Sequence, residues 1–446
     1  MNAHAPSAVD VDSMRHVRRM REMDLTYLNY AITAFFTLYS AYYIALFSAS
    51  VRRKRFSRSC LPHDYRTKFL VIVPAHNEEK VIRGICSDLV PQTYNQDRLR
   101  SLIVADNSTD CTEALAKEYE NVNSNKNLKV VARRSEVKGK GAALDYAVEH
   151  LGEFYNGFVP DYVVIFDADN RIPCDFIASL AEYAKEGYPA IQCNVKTKNP
   201  DTSLIARSSY YEGLTLQRLW QEGKDKLGLC NALAGTGEAI RYDLISAMKF
   251  GNSLTDDLDL TIRLAVRGMK VKYAHYPMTF DEKPNEIGIE FRRRVRWATG
   301  HFQTFFKYGA MLLRRPSRIT IDAFFYLTNI ASPLIIWSSA AISILYTLNL
   351  ITFTPVPQWY SLALSLAFLP LLFGAAVLEG DRAFLKNVVP FYLLMALWLI
   401  VAPFGLVKAI RGNAEWVRTP HSEVDIRPCN SNRGIFAAPL AVAAKR

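Results

Sequence analysis

The chain has 446 residues, is half apolar and carries a formal net charge of +11, from 54 Lys and Arg against 43 Asp and Glu. Seven cysteines stand singly, with no CxxC pair and no metal-ligand spacing, which excludes a zinc module and fits buried thiols in a reducing compartment. The basic excess does not speak for nucleic acid: there is no binding module and no aromatic-interleaved basic stripe, and the Lys and Arg residues gather beside apolar runs, facing anionic lipid.

Mean hydropathy is near zero only because apolar blocks flank a polar middle. Residues 1–24 read as a polar, disordered leader. Tyr27 to Val51 is nearly uncharged and marks a transmembrane span over residues 25–51, since a bilayer core needs about 20 apolar residues. A secretory signal would have an apolar core of about 7–15 residues; this run is longer, lies further in and is followed by a basic cluster. That cluster is Arg52, Arg53, Lys54, Arg55 and Arg58, against Arg15, Arg18, Arg19 and Arg21 before the span. The bias favours a cytoplasmic middle region. The chain reads as an integral membrane protein of a bacterial inner or plasma membrane.

From residue 66 to 285 short apolar runs alternate with helical periodicity. Strands are expected at Phe69–Val73, Ser101–Ala105, Leu128–Ala132, Tyr162–Phe166 and Ala190–Val195, and helices near Glu78–Leu89, Thr112–Tyr119, Gly141–Leu151 and Asp175–Lys185. This alternation predicts an α/β domain with a mostly parallel sheet flanked by helices. Residues 286–316 form an amphipathic interfacial stretch. Three apolar runs follow within 319–410, at about Ala323–Leu350, Trp359–Leu378 and Val388–Ala409, before a polar tail at 411–446. One span before the domain and three after it would put both termini outside, yet Lys408, Arg411 and Arg418 prefer the cytoplasm. A re-entrant run, with Pro370, Pro390 and Pro403 as candidate interruptions, would resolve the conflict; the sequence does not choose among the runs.

Five motifs carry the chemistry, and each has a plainer explanation. Asp167-Ala168-Asp169 closes the expected fourth strand, where open α/β sheets bind ligands. Paired carboxylates there suit a hard divalent cation that bridges to substrate phosphates, or are simply turn formers. Val73-Pro74-Ala75-His76-Asn77-Glu78-Glu79 and Ala105-Asp106-Asn107-Ser108 end the first two strands at the same edge, as a nucleotide pocket requires; the former could also only cap a helix. Lys138-Gly139-Lys140-Gly141 opens a helix and could hold a diphosphate, or form an ordinary turn; the spacing is not that of a Walker P-loop. Thr255-Asp256-Asp257 begins a helix ending near Gly268: either a cap with acids in the first turn, or a general base. In the stretch from Phe291 to Phe305, Phe291, Val295, Ala298, Phe302 and Phe305 share an apolar face, and Arg293, Trp297, Gly300 and Thr304 an adjacent one. Such a helix can lie on a membrane, and an Arg-Trp pair can contact a diphosphate and wall a sugar channel.

In this order and spacing the motifs resemble the membrane-integrated family 2 glycosyltransferases, which include cellulose, hyaluronan, poly-N-acetylglucosamine and chitooligosaccharide synthases and ceramide glucosyltransferase. The resemblance covers residues 68–300, the flanking spans and the tail Glu415-Trp416-Val417-Arg418-Thr419-Pro420. It implies a GT-A domain that takes a UDP-sugar donor and inverts the anomeric carbon. Pro74, Ala75, Asn77 and Glu79 would line the base and ribose pocket, Asp106 would bind the uridine and Lys140 would approach the diphosphate. Asp167 and Asp169 match the family's DxD, with Asp169 ahead of Asp167 as direct ligand of Mg²⁺ or Mn²⁺. Asp257 would be the general base, beside Asp256. Gly235, Thr236, Gly237, Glu238 and Arg241 would form the acceptor loop, and Arg296 and Trp297 match the end of QxxRW. Two positions depart from the pattern. Asp256 replaces a Glu, and Arg293 replaces the Gln; ceramide glucosyltransferases tolerate the latter change. The resemblance implies a processive β-glycan synthase making exopolysaccharide, with a single-transfer glycolipid glucosyltransferase as the alternative. The partners are accordingly a UDP-sugar, a glycan or lipid acceptor and membrane lipid. A transporter carrying an inactive transferase-like domain fits poorly, because the metal and base carboxylates are intact and the spans hold almost no charge.

Overall fold

The computed structural model describes residues 8–51, 66–120, 127–251, 253–351, 366, 368–379 and 382–412. The basic cluster after the first span and the tail from Glu415 to Pro420 lie outside them. Seven strands make one sheet: β1 (Phe69–Ala75), β2 (Leu99–Asp106), β3 (Leu128–Arg133), β4 (Tyr162–Ile165), β5 (Ala190–Thr197), β6 (Glu238–Arg241) and β7 (Val271–Asp281), in the order β3-β2-β1-β4-β6-β5-β7. All pairs are parallel except that β6 runs antiparallel to both β4 and β5.

The five strands expected from the apolar runs are present, because central parallel strands are buried on both faces and read as continuous hydrophobic sequence. In β1, Phe69, Val71 and Val73 face the helices Ile82–Leu89 and Phe176–Ala184. Leu70 and Ile72 face the opposite side, toward Lys140–Glu149, Asp256–Val266 and the membrane-proximal helices. β6 escaped the reading because its four residues, Glu238-Ala239-Ile240-Arg241, begin and end in charge and hold no apolar run. β7 escaped it because its pattern is broken: Ala274 pairs with Cys193 and Met278 with Asn194, so His275, Tyr276 and Pro277 bulge out. A bulge is where a sheet tolerates proline. The helix Leu204–Leu216 was also not anticipated; it continues through a π-helical turn at Gln217–Gly223.

Among the described residues, three helices are long and apolar enough to cross a membrane: Thr26–Ser50, Arg318–Thr347 and Phe384–Arg411. Of the three C-terminal runs expected, two therefore reach span length among the described residues; the middle one appears as the shorter apolar helix Leu369–Leu378. Residues 8–24, expected as a disordered leader, continue the first helix, which runs from Ala8 to Ser50. No Gly or Pro occurs between Ser7 and Ser50 to stop it.

Residues 286–316 form one helix, Ile287–Arg314, and it does more than rest on a surface. Val295, Ala298 and Phe302 pack against Val401 of the last apolar helix, while Tyr308 and Leu312 join the core beneath the sheet. The approach is close: a Cβ on Gly405 would come within 2.4 Å of Ala298 Cβ. Arg294, fully buried on this helix, pairs with Glu290 at 2.7 Å and with Glu212.

Candidate active site

The strand ends β1, β2 and β4 and the start of β6 meet at one sheet edge, since Ala75 lies opposite Ala105 and Ile165 opposite both Ile72 and Glu238. Their loops are stitched together. Asn77 and Asn107 adopt left-handed backbone (φ 57° and 49°), a conformation Asn tolerates better than most residues. In return their side-chain oxygens accept from the next loop: Asn77 from Thr109 N at 2.7 Å, Asn107 from Ser135 N at 3.0 Å. Pro74 and Ala75 supply the end of β1. The exposed Glu79 ties the first loop to the second by accepting from Cys111 N at 3.1 Å. Asp106 is buried, and its Oδ1 accepts from Arg133 at 2.5 Å and from Asn107 Nδ2 at 3.1 Å. Arg133 was not singled out in the sequence; as the last residue of the third apolar run it carries no local mark.

The groups expected to carry the chemistry gather around Gly235. Lys140, first residue of its helix, donates to Asp167 Oδ1 at 2.5 Å and to the Gly235 carbonyl. Gly235 has φ +80°, and a Cβ there would lie 3.4 Å from Asp257 Oδ2 and 3.5 Å from Lys140 Nζ. The bare backbone thus lets base, lysine and Asp-x-Asp loop share one spot. Asp167 N donates to Thr236 Oγ1 at 3.1 Å and to Asn170 Oδ1 at 3.2 Å. Asn170, the buried residue immediately after the Asp-x-Asp pair, therefore shapes the loop; adjacency was the one signal that could have revealed it. Gly237 sits against Thr279, 2.6 Å from where a Cβ would stand. Glu238 Oε2 accepts from Gly235 N at 3.2 Å.

Crowding of carboxylates sets the electrostatics. Burial, then the Asp256 charge, pushes the Asp257 carboxyl up to about 6, against Leu258 N–H, Lys140 and Arg296. Burial likewise pushes Glu238 up to about 8; Lys140 opposes this, and Asp257, Asp256 and Asp167 add to it. Burial works against the Lys140 ammonium, but Asp167, Asp256 and Glu238 outweigh it and hold its pKa above the ordinary lysine range.

The interfacial helix closes the site. Arg296 donates to Leu254 O at 3.0 Å, just before the Asp pair, and Arg293 stacks over Trp297 at 4.6 Å while pairing with Glu290 at 2.8 Å. Thr255 makes no capping bond; its side chain is pressed on Gly300, where a Cβ would come within 2.3 Å of Oγ1. The capping explanation for this Thr does not hold, although Gly268 (φ +72°) ends the helix as expected.

One expected site residue lies elsewhere. Arg241 pairs with Tyr162 at the opposite edge of the sheet and bonds Asp243. Antiparallel β6 carries Glu238 into the site and Arg241 away from it, about 3.3 Å per residue. Of the Asp-x-Asp pair, Asp167 is the more open, its side chain 42 % exposed. Asp169 is buried, its Oδ2 accepting from Glu282 N at 3.0 Å. No group of three or more His, Cys, Asp or Glu among the described residues could hold a metal by itself. Two carboxylates one residue apart fit a cation that arrives with, and completes its shell from, a diphosphate.

A GT-A-like sheet with a carboxylate pair at its edge and a half-buried Asp on the facing helix fits a sugar-nucleotide transferase. A family model described as "Glycosyltransferase like family 2" matches residues 66–300, and the protein belongs to that family. Its relatives include a probable glycosyltransferase YdaM of Bacillus subtilis (28 % identical, 58 % of this chain, 61 % of that one). A beta-monoglucosyldiacylglycerol synthase of Synechocystis is 31 % identical over 55 % of this chain and 50 % of its own. A poly-beta-1,6-N-acetyl-D-glucosamine synthase of Staphylococcus aureus is 23 % identical over 51 % of this chain and 53 % of its own. The chain thus spans roughly half the length of these curated relatives. Among solved structures, the mannosyltransferase PcManGT of Pyrobaculum calidifontis shares the fold, with a TM-score of 0.59 at 21 % identity over 87 % of this chain and 99 % of that one.

Proposed function

We propose that the protein transfers a sugar from a UDP-sugar to a hydroxyl of a membrane lipid, with inversion at the anomeric carbon. The observation that carries this reading is the position of Asp257. It lies beside Gly235 and Lys140 and under a helix that Gly405 and Val401 of the last apolar helix grip directly. An acceptor hydroxyl reaching Asp257 from the membrane side meets the base first and the diphosphate behind it.

In this reading the loops of β1 and β2, with Pro74, Ala75, Asn77, Glu79 and Asp106, hold the nucleoside. Lys140 and Arg296 hold diphosphate oxygens. A divalent cation, Mg²⁺ or Mn²⁺, would be held by Asp167 and Asp169 and would supply charge stabilisation to the departing UDP. Asp257 takes the proton of the acceptor hydroxyl as that oxygen bonds to the anomeric carbon and the bond to the diphosphate oxygen breaks. Trp297 and the Gly235–Glu238 loop border the acceptor.

The lipid acceptor is favoured by Arg293, locked to Glu290 and Trp297 in place of the Gln of the polymer-synthase motif. The beta-monoglucosyldiacylglycerol synthase of Synechocystis, 31 % identical, supports it too. The polymer reading rests on the poly-N-acetylglucosamine synthase relative. In this reading the three span-length helices among the described residues would return the C-terminus to the catalytic side, which the preference of Lys408 and Arg411 for the cytoplasm supports.

Purified full-length protein, given Mn²⁺ or Mg²⁺, a panel of UDP-sugars and diacylglycerol or ceramide, should release UDP and form a labelled lipid, and Asp257→Asn should form none. A ladder of soluble glycan instead would establish the polymer synthase. Release of no UDP from any donor would overturn both.

A further inference from the structure

The membrane segments reach the acceptor loop through a buried charge pair at residues 98 apart in sequence. Lys224 follows the π-helical turn Gln217–Gly223, a distortion often found at functional sites. It is 1 % exposed, and its Nζ lies 3.1 Å from Oδ2 of Asp322, itself 2 % exposed on the Arg318–Thr347 span. The lysine also sits over Trp220 and Tyr326, at 4.9 and 4.8 Å. Asp322 Oδ1 accepts from Tyr42 OH of the first span at 2.5 Å. One carboxylate therefore joins both spans to the catalytic domain. An ionisable residue on an apolar span, held by several partners, carries a functional expectation.

What the pair holds is the approach to the acceptor loop. Cys230 N donates to Asp322 Oδ2 at 3.2 Å, and Lys224 Nζ donates to Cys230 O at 3.4 Å. One turn back, Gln221 Nε2 donates to Ala232 O at 2.9 Å. Leu233 N and Ala234 N are fixed by Thr261 and Gln192 at 2.9 and 2.8 Å. The next residue is Gly235, whose carbonyl receives Lys140 and whose α-carbon faces Asp257. Gly223 keeps the turn against the first span, since a Cβ there would stand 2.5 Å from Leu46 O.

We propose that Asp322 and Lys224 are positioning residues for transfer: through Cys230 they fix the height of Gly235 between Lys140 and Asp257, so that the membrane spans hold the acceptor side of the site in register. The proposal rests on Gly235–Glu238 being the acceptor-side loop, while its exchange readout below does not.

Four full-length proteins in detergent decide it: wild type, Asp322→Asn, Lys224→Met and the double Lys224→Leu/Asp322→Leu. Each single variant leaves one buried charge without its counter-ion and should melt earlier; apolar replacement of both removes that charge and should recover part of the melting temperature, not all, because Tyr42 OH and Cys230 N lose their acceptor. If the pair positions the loop, amide exchange across residues 229–238 stays faster in the double variant while β1 and β2 exchange as in wild type. UDP release then falls about 10–100-fold, with UDP affinity in Mn²⁺ unchanged. Recovery of wild-type loop exchange along with the melting temperature would reduce the pair to a structural one and overturn the proposal. Should wild type release no UDP from any donor, the transfer reading fails, and the exchange result still decides whether the pair holds the loop.

Discussion

Asp257 is suited to act as a base because of what surrounds it. Burial and Asp256 raise its carboxyl to about 6, so it is ionised at neutral pH yet still basic enough to accept a proton. Only the unprotonated form works, so kcat/KM should rise with pH through about 6 and level off above it; Asp256→Asn should move that limb to lower pH. Loss of Asp257 itself (Asp257→Asn) should lower turnover by ~10²–10⁴-fold with UDP affinity intact, read by titration calorimetry. Glu238 makes a stability prediction of opposite sense to the usual carboxylate. Its folded pKa of about 8 lies above the ordinary 4.5. Between those values the unfolded chain sheds a proton that the folded protein keeps, so stability falls as pH rises. The metal-free protein should melt earlier at pH 8 than at pH 5, and Glu238→Gln should shrink that difference. Asp167, Asp169 and Asp257 were legible as candidates because the Asp-x-Asp pair closes an apolar strand, where open α/β sheets bind ligands, and Asp257 follows the other motifs in order. Their partners Asn170 and Arg133 were not, because each looks ordinary until the chain folds.

At the scale of elements, the helix Ile287–Arg314 is the part that holds the others. Gly300 receives Thr255, Arg296 reaches Leu254 O, and Ala298 receives Gly405. The base-bearing turn is thus clamped by side-chain fit rather than by an N-cap. A methyl group at Gly300 (Gly300→Ala) must displace Thr255, and transfer should drop about 10–100-fold while UDP still binds. The added change Thr255→Gly should recover part of the loss, as initial rates of UDP release will show. The sequence marked this helix as amphipathic, and the apolar face it assigned is the one that packs. It could not show that the polar face is also covered, because Arg294 reads as a solvent residue until Glu212 and Glu290 surround it.

For the whole molecule, buried ion pairs tie the catalytic domain to the helices around it: Arg294 of the interfacial helix with Glu212 and Glu290, Arg218 with Glu379, and Lys224 with Asp322 on the Arg318–Thr347 span. Removing one partner strands the rest. Arg294→Met leaves the buried Glu212 without its cation and Glu290 with Arg293 alone, and should cost about 3–5 kcal/mol, visible as a fall in melting temperature in detergent. With two span-length helices after the catalytic domain among the described residues, the proposed topology returns the C-terminus to that domain's side of the membrane. A C-terminal tag should accordingly be cleaved by protease from the same side of sealed vesicles as a loop of the catalytic domain.

The residues by themselves determined the strands with continuous apolar sequence, the order of the motifs and the presence of apolar blocks, because these follow from local composition and period. Tertiary structure alone decided that Arg241 leaves the site, since a strand's direction is set by its neighbours and not by its own four residues. It alone decided that Thr255 meets a glycine 45 positions on rather than capping its helix, and that Lys224 meets Asp322. Such contacts depend on which surfaces are brought together over long separations, and no local pattern records them.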